Sequence, residues 1–157
     1  MAPLIRPASL ADAEAIFVLI QAHADLLVPR SLANIIANID RFFVAEIDGA
    51  VVGCVSYTIH PELGDAKKAM VEIQSLAVLS ALRRQGIGGT LVEAVAARVK
   101  PIEPKELLTL TFTPEFFASL GFKEIPKTQV MHKLYTGCIN CTKHKDPFTC
   151  PEKAMTR

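Results

Sequence analysis

Residues 83–89 read RRQGIGG, three glycines in four positions, between the apolar run IQSLAV (73–78) and the amphipathic run TLVEAVAARV (90–99). That order predicts a strand, a loop of bare backbone and a helix, so the chain must fold with a sheet and a helix meeting at this point. The first N–H groups of such a helix are unpaired, and the positive end of its dipole points into the loop, which suits a phosphate or pyrophosphate. The same glycines would also serve a tight turn or close helix packing, and glycines alone leave both readings open. Two common phosphate loops fit poorly. A Walker loop ends in Gly-Lys-Ser/Thr, whereas Gly89 is followed by Thr90 and Leu91. A dinucleotide fingerprint needs a third glycine where Leu91 stands, and it follows the first strand of a parallel unit; this loop follows the fourth predicted strand.

The remaining segments extend the pattern. PLIRP (3–7) predicts an edge strand. Ser9 caps a helix over SLADAEAIFVLIQAH, with Ala15, Ile16, Leu19 and Ile20 at helical spacing, and Ser31 caps a shorter one over LANIIANI. RFFVAEI and AVVGCVSYTI flank Asp48-Gly49, a strong hairpin signal. HPELGDAKK is a polar loop and AMVEIQSLAVL a central strand. After the glycine loop and its helix, LLTLTF predicts a strand, TPEFFASLGF a helix stopped by Gly121, and VMHKLY (130–135) a last strand. The order β–α–α–β–β–β–α–β–α–β predicts an α/β (α+β) fold, a mixed sheet with helices on both faces.

At 157 residues the chain suits one core. Its 17 Lys and Arg nearly cancel its 16 Asp and Glu, which argues against a broad nucleic-acid surface. Arg6, Asp12, Glu14 and Asp25 interrupt the apolar N-terminal region before it reaches the roughly 18 uncharged residues of a membrane span. No secretory signal is evident, so a cytoplasmic location is expected. Cys54 stands alone in a strand, and Cys138, Cys141 and Cys150 crowd the C-terminus, a distribution unlike a disulfide framework.

Arg83, Gly86 and Gly88 match the pattern R/Q-x-x-G-x-G/A, and SLGF at 119–122 is similar to a recurrent helix end; with the order of elements over roughly residues 3–135, the chain resembles the GNAT acetyltransferases. The resemblance implies a mixed, mostly antiparallel sheet and acetyl-CoA as cosubstrate. It makes Arg83, Arg84, Gln85, Gly86, Ile87, Gly88, Gly89 and Thr90 coenzyme-binding, with the pyrophosphate on the backbone from Arg84 to Gly89, and places the pantetheine arm along Leu76, Ala77 and Val78. LLVPRSLANI, FFVAEIDGAVVGC, EIQSLAV, LTFTPEFFASLGF and HKLYTGCINC look like stretches of the short amino-acid N-acetyltransferases that make N-acetylglutamate for arginine biosynthesis. A catalytic domain over 1–136 and a cysteine-bearing tail over 137–157, packed on it as a clip or homodimer contact, are expected.

Glutamate carries two carboxylates, so its site needs a guanidinium fork. Arg30, followed by Ser31, is the first candidate; Arg6 and Lys133 are secondary, and each is equally readable as a solvated surface charge. The α-amine must lose a proton, and Glu72, in an apolar strand, is placed like the glutamate base of some GNAT enzymes, unless it merely pairs with Lys68 at the wet end of that strand. The tyrosine acid common in the family is replaced by Phe117, which leaves Tyr135 or Tyr57 as donor, or departure of the thiolate to water. Cys54 is read as core, so the amine attacks directly in a ternary complex without an acyl-enzyme. Cys138, Cys141, His144 and Cys150 have partial zinc-ligand spacing, against which stands a tail of reduced thiols. Alternative readings are a GNAT enzyme for another amino acid, a polyamine or a protein amine, and a non-catalytic acetyl-CoA or metal sensor.

Overall fold

The computed structural model describes residues 1–138, 141–144 and 146–157. Seven strands, β1 (Leu4–Pro7), β2 (Phe42–Ile47), β3 (Ala50–His60), β4 (Met70–Val78), β5 (Leu107–Thr111), β6 (Lys123–Ile125) and β7 (Lys153–Thr156), hydrogen-bond in the order β1-β2-β3-β4-β5-β7-β6. The β4–β5 pair is parallel, whereas β1–β2, β2–β3, β5–β7 and β6–β7 are antiparallel. This is the mixed, mostly antiparallel sheet expected. Among the described residues five α-helices accompany it: α1 (Ala13–Gln21), α2 (Leu32–Ala37), α3 (Ile87–Val99), α4 (Pro114–Ser119) and α5 (Met131–Thr136). None is long and apolar enough to cross a membrane. The chain forms two compact units, residues 1–57 with 73–98 and residues 58–72 with 99–157.

In the first unit, Asp48 (φ 50°) and Gly49 (φ 77°) both take the left-handed region that a two-residue hairpin turn demands, which explains the Asp-Gly pair between β2 and β3. Ser9 and Asp12 form a capping box at a short 3-10 turn, after which Ala13, Ile16, Leu19 and Ile20 of α1 face Ile35, Phe42, Val44, Cys54 and Ala77. Ala13 takes the place of the expected Ala15 on this stripe, and Ala15 is exposed. Gly53 is required by close approach. A Cβ there would lie 3.1 Å from Leu91 Cδ1 and 3.2 Å from the Ala77 carbonyl oxygen.

In the second unit, Met70, Leu108, Val130, Leu134 and Ala154 form the core, with Leu110, Ile125, Met131 and Cys138 against it. Two expectations fail here. VMHKLY is no strand: residues 131–136 form α5, and Val130 and Leu134 are buried one helical turn apart. The last strand is instead β7, formed by Lys153–Thr156 from the tail, which pairs with Leu108–Thr111 on one side and Lys123–Ile125 on the other. KAMT and KEI are too short to display a period of two, and only the partner strands on either side select the extended form.

Leu134→Ala should destabilise the protein by about 2–5 kcal/mol. A chain cut after Glu152 should fall further, since it loses β7 and bares β5 as an edge. Urea midpoints compared with the parent check both.

Candidate active site

The glycine loop joins β4 to α3 as expected. Arg84 (φ 63°) and Gly86 (φ 83°) take left-handed conformations, and an added Cβ at Gly86 would meet nothing within 4 Å. The glycine therefore answers to backbone angle, and the space before it is open to a ligand. A left-handed arginine is uncommon and costs energy that the surroundings must repay, a pattern typical of ligand clamps. Ile87 is buried and anchors the start of α3, while Arg83, Arg84, Gln85 and Gly86 are exposed. The amide and hydroxyl of Thr90 both donate to the Gly86 carbonyl, at 3.0 and 3.1 Å, so the helix is closed from its first turn. The next N–H groups back, in the loop and first turn, have no intrahelical acceptor, and this donor set suits a pyrophosphate.

Leu76–Val78 close β4 on the approach to this loop. His23, buried behind α1, places Nδ1 2.7 Å from the Leu19 carbonyl oxygen and Nε2 3.0 Å from that of Val78. It thereby ties the end of α1 to the strand proposed for pantetheine. Ser75 (φ 53°) breaks the extended backbone of β4, and the groups around this kink are satisfied from β3: the Cys54 thiol donates to the Ser75 carbonyl at 3.4 Å, and the Ser56 hydroxyl to the Gln74 carbonyl at 3.3 Å. Arg30 Nη1 donates to the same Ser56 hydroxyl at 3.0 Å, and its guanidinium lies 5.2 Å from the Phe42 ring centre. The fork is thus pre-oriented on a rigid strand. Ser31, by contrast, is exposed and caps α2 by accepting from the Asn34 N–H.

Glu72 has a different environment from the wet strand end considered above. It is buried, Lys133 Nζ and His60 Nε2 each lie 3.0 Å from its Oε1, and His60 Nδ1 lies 3.1 Å from Nδ1 of His132. Lys68 faces Asp65 instead, at 3.9 Å. Burial alone would raise the Glu72 pKa, but Lys133 and His60 outweigh it and hold the carboxyl below its ordinary value. Burial likewise opposes the charge on Lys133, and Glu72 reverses the effect, so that the ammonium is held above its ordinary value. A carboxylate bound in this way is a weak acceptor for a further proton. His60 and His132 were not singled out from the sequence. One sits at the strand–loop boundary and the other in the misassigned VMHKLY, so neither had a pattern to reveal it.

Other candidates are placed elsewhere. Arg6 gives both arms of its fork to Asp12, at 2.8 and 2.9 Å, and Nε to Glu46 at 2.8 Å, so its guanidinium is committed within the fold. Lys133 is the counter-ion of Glu72. Tyr135 is 65% exposed on α5, and Tyr57 is buried beneath Arg41. Phe117 packs edge-on against Phe116 and Phe122. Burial pushes the Cys54 thiol up to about 12, although the Ala77 N–H and Arg30 act in the opposite direction. Zinc coordination finds no support: among the described residues no three His, Cys, Asp or Glu side chains are gathered to hold a metal ion. Residues 139 and 140 of the C-x-x-C lie outside the described set, as does residue 145. His144 turns towards the Phe112 ring, and Lys127 Nζ gathers the tail by donating to the Pro147 and Cys150 carbonyls, both at 2.7 Å.

Residues 38–124 match the acetyltransferase (GNAT) domain. The chain belongs to the GNAT acetyltransferase family. It is 37% identical over 158 residues to an uncharacterised N-acetyltransferase of Chlorobaculum tepidum, covering 98% of this chain and 94% of that one. It is 31% identical to an amino-acid acetyltransferase of Mycobacterium tuberculosis, over 85% of this GNAT chain and 75% of the relative. In fold it is similar, at a TM-score of 0.80 and 23% identity, to an N-acetylglutamate synthase of Neisseria gonorrhoeae complexed with coenzyme A and N-acetyl-glutamate, of which it spans 35%. An M. tuberculosis structure in complex with CoA aligns at a TM-score of 0.79 and 24% identity, over 98% of each chain. This GNAT protein is an acetyltransferase enzyme.

Arg6, acting chiefly through its hydrogen bonds, lowers the Asp12 carboxyl from 3.8 to about 2. The sign follows from linkage: a depressed carboxylate stabilises the fold above its unfolded value, and that contribution is lost as pH falls through the folded value. Arg6→Ala should therefore narrow the stability difference from the parent as pH falls from about 4 to about 2, followed by thermal melts. In the native protein at pH 8, iodoacetamide should leave Cys54 unmodified until urea unfolds the chain, as mapped by peptide mass.

Proposed function

We propose that the protein transfers acetyl from acetyl-CoA to the α-amine of L-glutamate, the entry step of arginine biosynthesis. The observation that carries this reading is the kinship with the M. tuberculosis amino-acid acetyltransferase over most of both chains. Arg30 supports it: a fork braced by Ser56 and Phe42 suits a carboxylate and would repel a polyamine.

In this reading the backbone from Arg84 to Gly89 takes the pyrophosphate and Leu76–Val78 pair with the pantetheine arm. Arg30 holds one acceptor carboxylate and so aims the amine at the thioester carbonyl, converting an encounter into a positioned reaction. Attack is direct. Cys54, the thiol nearest this chemistry in sequence, is buried and held protonated, so it cannot form an acyl-enzyme. The thiolate of CoA leaves without a tyrosine acid at the position Phe117 occupies, which is tolerable because a thiol pKa near 8.5 makes it a modest base. Both substrates are small molecules.

CoA release from acetyl-CoA, followed with a thiol reagent against each amino acid in turn, tests the assignment. Release should depend on L-glutamate. Arg30→Ala should raise the glutamate KM about 10- to 100-fold, the worth of one charged hydrogen bond, and leave the acetyl-CoA KM unchanged. Release with a polyamine or another amino acid in place of glutamate would overturn it.

A further inference from the structure

His23 stands just past the end of α1, and both nitrogens of its buried ring face carbonyl oxygens: Nδ1 that of Leu19 at 2.7 Å and Nε2 that of Val78 at 3.0 Å. A carbonyl oxygen only accepts, so each contact needs a hydrogen on the ring. A neutral imidazole carries one, and its other nitrogen would turn a lone pair onto an oxygen at hydrogen-bond distance. The imidazolium, a donor at both nitrogens, satisfies the two contacts together. Burial opposes that charge, and the position of the ring offsets it. It lies at the negative end of the α1 dipole, where a cation is favoured. The His23 N–H turns to the Ile20 carbonyl at 3.0 Å, which leaves the Leu19 carbonyl to the side chain.

The ring cannot easily move to relieve a lost proton. Its own residue is fixed from the following turn: the His23 carbonyl accepts from the N–H groups of Leu26 and Leu27 at 3.0 and 2.9 Å, and Leu27 packs on the core of the first unit. On the other side is Val78, the last residue of β4. The Ala77 N–H faces the Cys54 sulfur and the Leu79 N–H bonds the Val52 carbonyl at 2.9 Å, so both are directed to β3. The Val78 N–H between them points away from β3. In the reading above this stretch meets the pantetheine arm, and its final carbonyl is the one His23 holds.

Resting on the acetyl-transfer reading, we propose that His23 is a positioning residue for acetyl-CoA that works as an imidazolium: with two protons it joins α1 to the end of the pantetheine strand, and with one it lets a carbonyl go. The charged and titratable groups on the surrounding parts of the first unit are Glu14 on α1, Asp25 and Arg30 in the loop after it, Glu46 on β2, Cys54 on β3 and Arg83-Arg84 after β4; α2 and residues 73–78 carry none. Glu14, Asp25, Arg83 and Arg84 are exposed, Glu46 pairs with Arg6, and Arg30 lies on Ser56. Among the described residues none of them hydrogen-bonds or ion-pairs with the ring, so the two carbonyls and the helix end decide its state. A side chain needed only to fill this space would be served by Leu or Phe, which would leave both oxygens without a donor.

The test is acetyl-CoA affinity, measured by calorimetry with no acceptor present, for the parent and for His23→Gln. Glutamine keeps one donor, carries no charge and does not titrate. At about pH 6 the variant should bind about tenfold more weakly, the lower end of the worth of one charged hydrogen bond. That gap should close by about pH 9, because the parent loses the second proton over the range in which imidazolium titrates. The sign is fixed: the contribution is present at low pH and lost as pH rises. In ¹⁵N-histidine spectra of the unaltered protein, which need no variant to fold, His23 should carry hydrogens on both nitrogens at about pH 7. A single hydrogen on His23, equal affinities at pH 6, or a gap that persists unchanged to alkaline pH would overturn the proposal while leaving acetyl transfer standing. Absence of acetyl-CoA binding by the parent would instead sink the acetyl-transfer reading, and the role of His23 with it.

Discussion

A buried carboxylate on a central strand must be paired or it will not stay charged, and Glu72 imposes that requirement on the second unit. Two of its partners come from different places, His60 from the end of β3 and Lys133 from α5. The demand also explains the conformation of residues 130–135. In a strand, Val130 and Leu134 would share one face and Lys133 would point to the other. A helix brings positions 130, 133 and 134 to one side, so the apolar pair can be buried while the ammonium reaches Glu72. Breaking the pair on one side would leave an uncompensated buried charge, typically a cost of about 3–5 kcal/mol.

The first unit is arranged around a break in the same strand. Ser75 leaves the extended conformation, and side chains of β3 answer its displaced carbonyls. Cys54 and Ser56 alternate along β3 and so point to one face, and Arg30 is recruited through Ser56. The kink, the thiol, the hydroxyl and the Arg30 guanidinium form one network. Cys54 is consequently a hydrogen-bonding core residue rather than a nucleophile, and the orientation of Arg30 depends on strand geometry as much as on its own loop.

Much of this was legible in the chain. Asp48-Gly49, the capping Ser9 and Ser31, the Pro114 and Gly121 bounds of α4 and the RRQGIGG junction are local signals, each set by φ preferences or hydrogen bonds within a few residues. The misreadings share an opposite character. VMHKLY carries β-favouring residues, but long-range burial of Glu72 and the packing of Leu134 decide for helix. KAMT and KEI become strands only because β5 and each other's edges are present. The spacing of the tail cysteines suggested a metal shell, yet in the described residues an ammonium, Lys127, organises that stretch through carbonyl oxygens.

Sequence by itself therefore determined the class of fold, the glycine loop before α3 and the presence of an arginine fit for a carboxylate, because those rest on short-range geometry and on residue chemistry that does not depend on neighbours. Tertiary structure alone decided which partners hold each charge. Arg6 and Arg30 are alike on paper, but one is closed by Asp12 and Glu46 and the other is braced by Ser56 and Phe42. Likewise Glu72 acquires Lys133 from 61 residues away and His60 from 12. The physical reason is that the strength of a charge is set by partners that only folding brings within hydrogen-bond distance.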